Sequence, residues 1–358
     1  MKPTVVLTGG GTGGHIYPAL SIGDALSSQG ASLLYIGNQT GPEARIVPQH
    51  GIPFRGIGAG RLDRRGPIAG LIGVTRGTIS AMRLLRRSEA KVIVGTGGYA
   101  CVPVALAGFL RRVPVILHEP NAVAGRANRL LGRLATRVTL GFPESGRGLP
   151  SSRCVVTGVA VRIPKAVPSP EKARRAFGLD PDRLTLLVAG GSQGAAAVNS
   201  VVFGALDRIG VLGWQILHQT GPKHFNDSVK SLMADRPYYR ALPFIEDMTA
   251  AYTATDVAVA RTGASSIAEL ALHALPAILV PYPYAADDHQ RANAEIPRKA
   301  GAARVIDQSG FNPATLCEAL QELAGAEVRD AMKNSARQLA RPNAAKDIAE
   351  VALSLARP

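Results

Sequence analysis

A short aliphatic run that breaks into glycines and then into a helical stretch occurs twice in this chain, and no other feature narrows its fold as much. Val5-Val6-Leu7-Thr8 leads into Gly9-Gly10-Gly11-Thr12-Gly13-Gly14-His15, and Thr185 to Ala189 leads into Gly190-Gly191-Ser192-Gln193-Gly194-Ala195. Each reads as the start of a βα unit, a strand buried on both faces followed by a turn tight enough to need glycine. The rhythm continues in the first half through Ser32 to Ile36, Val92 to Val94, Val115 to Leu117 and Val138 to Leu140, with a helix from about Pro18 to Gln29. In the second half it continues through Gln215 to His218, Val257 to Ala260 and Ala277 to Val280. Strands alternating with helical stretches predict parallel sheets in an α/β fold.

The chain has 358 residues, and single cores stop growing near about 250–300, so two domains are expected. The boundary is placed at 162–170, where Pro164, Pro168 and Pro170 remove backbone donors and hold the chain extended. This leaves 1–161 and 171–342 as the domains. A net charge of +15 selects anionic partners. The basic residues are scattered as pairs such as Arg64-Arg65, Arg86-Arg87 and Arg111-Arg112, with no nucleic-acid-binding motif, so nucleic acid is not the expected partner. Cys101, Cys154 and Cys317 lie too far apart for a zinc motif or a disulfide framework, which points to a reducing, cytoplasmic compartment. The N-terminus enters a strand at once, without the longer apolar stretch of a signal peptide. The longest apolar run, Tyr99 to Leu110, is shorter than the ~20 residues of a membrane span, so any membrane contact is expected to be peripheral.

The first glycine turn satisfies G-x-G-x-x-G at Gly9, Gly11 and Gly14. A dinucleotide site would also need an acidic residue at the end of the second strand, and Leu34-Tyr35-Ile36-Gly37-Asn38 has none. His15 stands where a P-loop has lysine, so the turn is a phosphate cradle of another kind. His15 itself has two open roles: a general base working near neutral pH, or a helix-start histidine bonded locally. The second turn adds the Ser192 hydroxyl to its exposed amides, and two such cradles suit a cleft between the domains. After Val257 to Ala260, Arg261-Thr262-Gly263 starts a third glycine-led helix that carries Glu269 one turn inside. That carboxylate either accepts hydrogen bonds from ribose hydroxyls or compensates the helix dipole. Gln290 and Asn293, three apart beyond the strand that ends at Val280, share a helix face and either bind sugar hydroxyls or cap and solvate the helix. Asp180-Pro181-Asp182 spells a metal motif but precedes its strand, at the end away from the glycine turn, so no metal site is expected.

With these segments assembled, the chain resembles the MurG family of UDP-N-acetylglucosamine:muramyl-pentapeptide pyrophosphoryl-undecaprenol N-acetylglucosaminyltransferases. The likeness runs over nearly the whole chain. It rests on Gly10 to His15, His118-Glu119-Pro120-Asn121, Gly190 to Ala195, Phe244-Ile245-Glu246-Asp247-Met248 and Arg261-Thr262-Gly263-Ala264, which occur in the family's order. The resemblance implies the GT-B architecture, two Rossmann-like domains facing across a cleft, with 343–358 forming a last helix that returns to the first domain. It implies inverting transfer of N-acetylglucosamine from UDP-GlcNAc to the C4 hydroxyl of an undecaprenyl-linked muramyl pentapeptide, without a metal or cofactor. By position, Thr12, Gly13, Gly14 and Asn121 are implied to meet the transferred sugar, and Arg162 and Ser192 the UDP phosphates. Ile245 is implied to meet uracil through its backbone. Ala264, Ser265, Ser266, Ile267, Ala268 and Glu269 are implied to hold diphosphate and ribose, and Gln290 the donor sugar. Glu119 is a second candidate base. The family more often has Gln at position 120 and an Asp-x-Gln-Gln pattern where Asp288-His289-Gln290 stands here. The competing readings are another GT-B transferase with a different acceptor, a non-catalytic nucleotide-sugar binding protein and, third, a nicotinamide dehydrogenase.

A helix is expected over Ile68 to Arg87. Ile68, Ile72, Thr75, Ile79 and Met82 suffice to cover a core, which leaves Leu71, Val74, Leu84 and Leu85 as surplus apolar surface. Arg76, Arg83, Arg86 and Arg87 lie among them, with Arg61, Arg64 and Arg65 just before. Apolar and basic residues together are the composition of a surface that docks on an anionic leaflet, here the cytoplasmic face of the membrane. The alternative is that the leucines pack inside.

Overall fold

The computed structural model describes residues 2–58, 67–164 and 166–356. The chain forms two compact units, Met1–Arg162 with Arg341–Pro358, and Ile163–Ala340. Unit 1 runs β1 (Thr4–Thr8), α1 (Gly13–Ser28), β2 (Ser32–Asn38), α2 (Glu43–Gln49), β3 (Phe54–Ile57), α3 (Pro67–Arg87), β4 (Val92–Gly95), α4 (Cys101–Leu110), β5 (Val115–Glu119), α5 (Arg126–Leu131), β6 (Arg137–Leu140) and β7 (Cys154–Val156). Unit 2 runs α6 (Pro170–Ala176), β8 (Thr185–Ala189), α7 (Ala196–Val211), β9 (Gln215–Gln219), α8 (Asp227–Ala234), β10 (Tyr239–Leu242), α9 (Met248–Thr253), β11 (Val257–Ala260), α10 (Ala264–Leu272), β12 (Ala277–Leu279), α11 (His289–Lys299), β13 (Ala303–Val305), α12 (Pro313–Glu322) and α13 (Ala326–Leu339). The last helix, α14 (Ala344–Leu355), belongs to unit 1 and packs against α1.

All pairings are parallel, in the orders β3-β2-β1-β4-β5-β6-β7 and β10-β9-β8-β11-β12-β13. In each sheet the chain starts in the middle, moves to one edge, then returns past its first strand to build the other side. The direction of winding therefore reverses at β1/β4 in unit 1 and at β8/β11 in unit 2. In open α/β sheets such switch points are where ligands bind, because adjacent loops diverge beyond the strands' carboxyl ends. Both glycine turns leave the strand at a switch point.

The first helix starts at Gly13 rather than near Pro18, which sits inside it. Ile16 is fully buried in one core with Val5, Leu7 and Ile22, and this packing holds the start of the helix despite Gly13, Gly14 and the following Pro18. The same core takes Ile348, Ala349 and Ala352 from α14.

The face assigned to α3 is corrected. Its core side carries Ala81 and Leu85, both buried, with Val74, Met82 and Leu84 packed against them. Leu71, Ile72 and Ile79 are the exposed ones, at 66%, 48% and 45%. Buried Gly77 and Thr78 explain the choice, since small side chains let α3 lie close against α4. Arg61, Arg64, Arg65 and the Ile68 side chain lie outside the described residues.

Candidate active site

At the first switch point His15 occupies the first turn of α1, half-buried. Its Nδ1 lies 2.9 Å from the carbonyl oxygen of Thr96, just beyond β4. A carbonyl only accepts, so Nδ1 carries the proton and the basic lone pair of the neutral ring is on Nε2. Thr96 also donates its hydroxyl to the His15 carbonyl at 2.6 Å, so both ends of the residue are pinned to the β4 loop. Thr12, the residue preceding the helix, makes no side-chain capping bond, which leaves the first helical amides, at Gly13 and Gly14, directed outward.

The turn is not a row of open amides along its whole length. Glu43, fully buried at the start of α2, accepts from the Gly11 N–H at 3.1 Å and from the Asn38 N–H at 3.0 Å. A carboxylate beneath Gly9 to Gly11 repels an anion there, which narrows the expected cradle to Thr12, Gly13 and Gly14.

Glu119, 1% exposed at the end of β5, is committed on both oxygens. Oε1 accepts from the N–H and Nδ2 of Asn121 at 3.0 and 3.2 Å, and Oε2 from the Gly125 N–H and Asn128 Nδ2 at 2.8 and 2.9 Å. Four such bonds make it the clamp of the 121–128 loop. Of the two candidate bases, Glu119 is thus tied to its own loop, whereas His15 is held through Nδ1. Asn121 is held on this loop and accepts the Ser145 hydroxyl at its carbonyl, 2.6 Å away. Arg162 is exposed, with Nε 3.9 Å from an Asp24 oxygen, a loose pair of negligible energy.

In unit 2, Ser192 is exposed in the turn before α7, whose N-terminus has no side-chain cap. Ile245, between β10 and α9, is 2% exposed, so its side chain anchors the segment and its backbone is what it can present. Helix α10 likewise starts uncapped at Gly263, and Ala264, Ser265 and Ser266 form its first turn. Ala264 and Ile267 point into the core; Ser265, Ser266 and Ala268 are half-buried. Glu269 accepts the Tyr252 hydroxyl on Oε2 at 2.8 Å. Burial raises the Glu269 carboxyl above its ordinary value, and the Tyr252 bond opposes this. Burial and then the Glu269 charge push the Tyr252 phenol well above its ordinary value, so it remains a donor that fixes the carboxylate's orientation.

Gln290 accepts on Oε1 from the N–H groups of Tyr282 and Thr262 at 3.0 and 3.3 Å, which leaves its Nε2 as the group able to meet a ligand oxygen. Asn293 does not stand beside it at the surface. It is fully buried and donates Nδ2 to the Thr262 carbonyl at 3.0 Å, holding the β11–α10 turn from beneath. Asp180-Pro181-Asp182 is a turn in which the Asp182 N–H donates to Asp180 Oδ1 at 2.9 Å. Among the described residues, no cluster of three or more His, Cys, Asp or Glu side chains could hold a metal ion.

Sequence reasoning missed Glu43, Thr96, Asn128 and Tyr252. Thr96-Gly97-Gly98 after β4 was a legible signal, a glycine pair at a strand's carboxyl end. Glu43 and Tyr252 reach the site from other elements and carry no local mark, and Asn128 lies nine positions from the Glu119 it holds.

Two Rossmann-like units of parallel strands, each with a glycine turn at its switch point, are the architecture that GT-B glycosyltransferases use. Residues 5–140 match the glycosyltransferase family 28 N-terminal domain and 185–351 its C-terminal domain. The UDP-N-acetylglucosamine–N-acetylmuramyl-(pentapeptide) pyrophosphoryl-undecaprenol N-acetylglucosamine transferase of Acidithiobacillus ferrooxidans is 40% identical over 363 residues, 99% of each chain. That of Salinibacter ruber is 39% identical over 360 residues, 99% of this chain and 97% of the relative. The crystal structure of Acinetobacter baumannii MurG, 32% identical, superposes with a TM-score of 0.80 over 98% of this chain and 99% of that one. The chain belongs to this MurG family of N-acetylglucosamine transferases.

Proposed function

We propose that the protein transfers N-acetylglucosamine from UDP-N-acetylglucosamine to the C4 hydroxyl of the muramyl residue in undecaprenyl-pyrophosphoryl muramyl pentapeptide, the step that completes the lipid-linked disaccharide of peptidoglycan. The substrates follow from the full-length likeness to the named transferases. The observation that carries the chemistry is His15, whose Nδ1 bond to Thr96 leaves Nε2 basic. In a single displacement the acceptor hydroxyl loses its proton to Nε2 as UDP departs, and the anomeric centre inverts. Charge gathering on the diphosphate is met by the uncapped N-termini of α7 and α10 and by Ser192, with Glu269 on the ribose and Gln290 Nε2 on the sugar. The purified protein is expected to release UDP from UDP-N-acetylglucosamine only when the lipid-linked muramyl acceptor is present. Release that ignores the acceptor, or no release with it, rejects this function.

The acceptor's lipid tail requires a membrane surface, and α3 supports one. Ile72, Arg76, Ile79, Arg83 and Arg86 follow at three- and four-residue steps, so exposed isoleucines and arginines share one stripe. Phe109 and Leu110, 50% and 60% exposed, end the adjoining α4 just before exposed Arg111 and Arg112. No described helix is long and apolar enough to cross a membrane. Basic residues at an anionic surface contribute about 1 kcal/mol each, enough for reversible attachment. Co-sedimentation with anionic vesicles is expected, with release in high salt and weaker binding after Leu71→Ser with Ile72→Ser. Leu85 is unsuited to this test because it is buried. Attachment indifferent to salt and lipid charge rejects the docking surface.

A further inference from the structure

We infer that Gln219 is a positioning residue that sets the spacing between the two nucleotide-contacting segments of unit 2, the glycine turn at Gly191 and the strand-end segment at Ile245, and thereby governs preference for uridine nucleotides. The inference rests on the reading of unit 2 as the donor site. Gln219 is the last residue of β9 and is 4% exposed. Its Nε2 donates to the Gly191 carbonyl at 3.0 Å, and its Oε1 accepts the Ile245 N–H at 2.8 Å. Because one partner only accepts and the other only donates, the amide has one workable orientation and uses both its ends.

Strand β9 lies between β8 and β10, so the segments that follow those two strands flank its end. No sheet ladder joins Gly191 to Ile245, and the Gln219 side chain spans them. Its own platform is rigid. Gly194 and Gly221, at φ +74° and +90°, bring the two turns together backbone to backbone, where an added Cβ would stand 1.8 Å from the Thr220 oxygen and 2.1 Å from the Gln193 oxygen. On the other side His218 Nε2 bonds Asn199 Oδ1 at 3.0 Å, and Asn199 Nδ2 donates to the Thr220 carbonyl at 2.8 Å.

The Ile245 N–H is occupied by Gln219, so its carbonyl is the group presented. A carbonyl acceptor suits the N3–H of uracil and faces a repelling lone pair at N3 of cytosine. The uridine preference then depends on where the Gln219 tie holds that carbonyl relative to the phosphate turn.

The test measures UDP and CDP affinities and steady-state constants for the full chain. Gln219→Met preserves length and removes both bonds; Gln219→Glu retains the acceptor for Ile245 and loses the donor to Gly191. Gln219→Met is expected to weaken UDP about tenfold, since the buried Ile245 N–H loses its partner and the Gly191 turn loses its tie to that segment, and to raise KM with kcat nearly unchanged. The UDP-over-CDP ratio should fall severalfold in Gln219→Met and less in Gln219→Glu. Thermal melts check folding, and if the methionine variant does not fold, the glutamate variant carries the test. Glu269→Ala is measured alongside. If it weakens UDP while both Gln219 variants keep wild-type affinity and base preference, the tie is refuted. If neither Glu269→Ala nor the Gln219 variants alter UDP binding, the donor-site reading itself fails.

Discussion

His15→Ala is expected to lower kcat by about 100- to 10,000-fold while UDP binds nearly as in the wild type, because a general base acts only as the acceptor proton moves. The structure adds a reason for a value toward the upper end. The ring is held at Nδ1 by the Thr96 carbonyl and its backbone by the Thr96 hydroxyl, so Nε2 is preorganised and the right tautomer is present before substrate arrives. Glu119 cannot take over the role, because both its oxygens are committed to the 121–128 loop. Single-turnover kinetics with saturating UDP-N-acetylglucosamine would measure the effect. A kcat within threefold of wild type would remove His15 from the chemistry.

Acid is expected to destabilise both units steeply below pH 6.5. His118 in unit 1 and His218 in unit 2 are fully buried, and burial pushes their pKa values down to about 4 and about 3. Each is bonded as a neutral ring. Nδ1 of His118 lies 3.1 Å from Thr139 Oγ1, and its Nε2 accepts from the Ala160 N–H at 3.4 Å; His218 sits between the Tyr239 hydroxyl and Asn199 Oδ1, both at 3.0 Å. In the unfolded chain both titrate near their ordinary 6.5. Below that pH the unfolded state binds more protons, so stability falls by about 1.4 kcal/mol per pH unit for each histidine until the folded values are reached. Between pH 6.5 and 4 each unit loses roughly 3 kcal/mol through its own histidine, a large share of the stability of a typical domain. Glu269, with its raised carboxyl, works in the opposite sense: its contribution is present at low pH and lost as pH rises through its folded value. One such group offsets only part of the loss. Denaturant titrations across this range, with His218→Gln expected to remove one of the two slopes, would check the effect. A midpoint unchanged from pH 6.5 to 4.5 would contradict it.

What could be read from the sequence followed burial. Every strand recognised there lies inside its sheet, and the four overlooked, β3, β7, β10 and β13, are the four sheet edges. An interior strand of a parallel sheet is covered on both faces and becomes a continuous apolar run, as Thr185 to Ala189 does. An edge strand such as Phe54–Ile57 carries Arg55 and Gly56 in the open and lacks that signature. Glycine turns were legible because they interrupt the runs abruptly, which is why His15 and Ser192 were found. The residues that hold the site were not, because their partners are distant in sequence: Glu43 meets Gly11 across 32 positions and Gln219 meets Ile245 across 26. On α3, apolar residues wrap so far round the helix that two faces could have served as the core. The buried pair Gly77 and Thr78, which offers little hydrophobicity, marks the true one.

The return of α14 to unit 1 has a consequence for the order of events during synthesis. Unit 2 is one uninterrupted stretch, Ile163–Ala340, and can close its core once that stretch has left the ribosome. Unit 1 emerges first, yet Ile348, Ala349 and Ala352 belong to the core that covers Val5, Leu7 and Ile16. Those residues arrive with the final turns of helix, so the half of the protein that is translated first is the half that finishes last. In the interval, the apolar side of α1 that α14 covers in the finished protein stands open on the nascent chain.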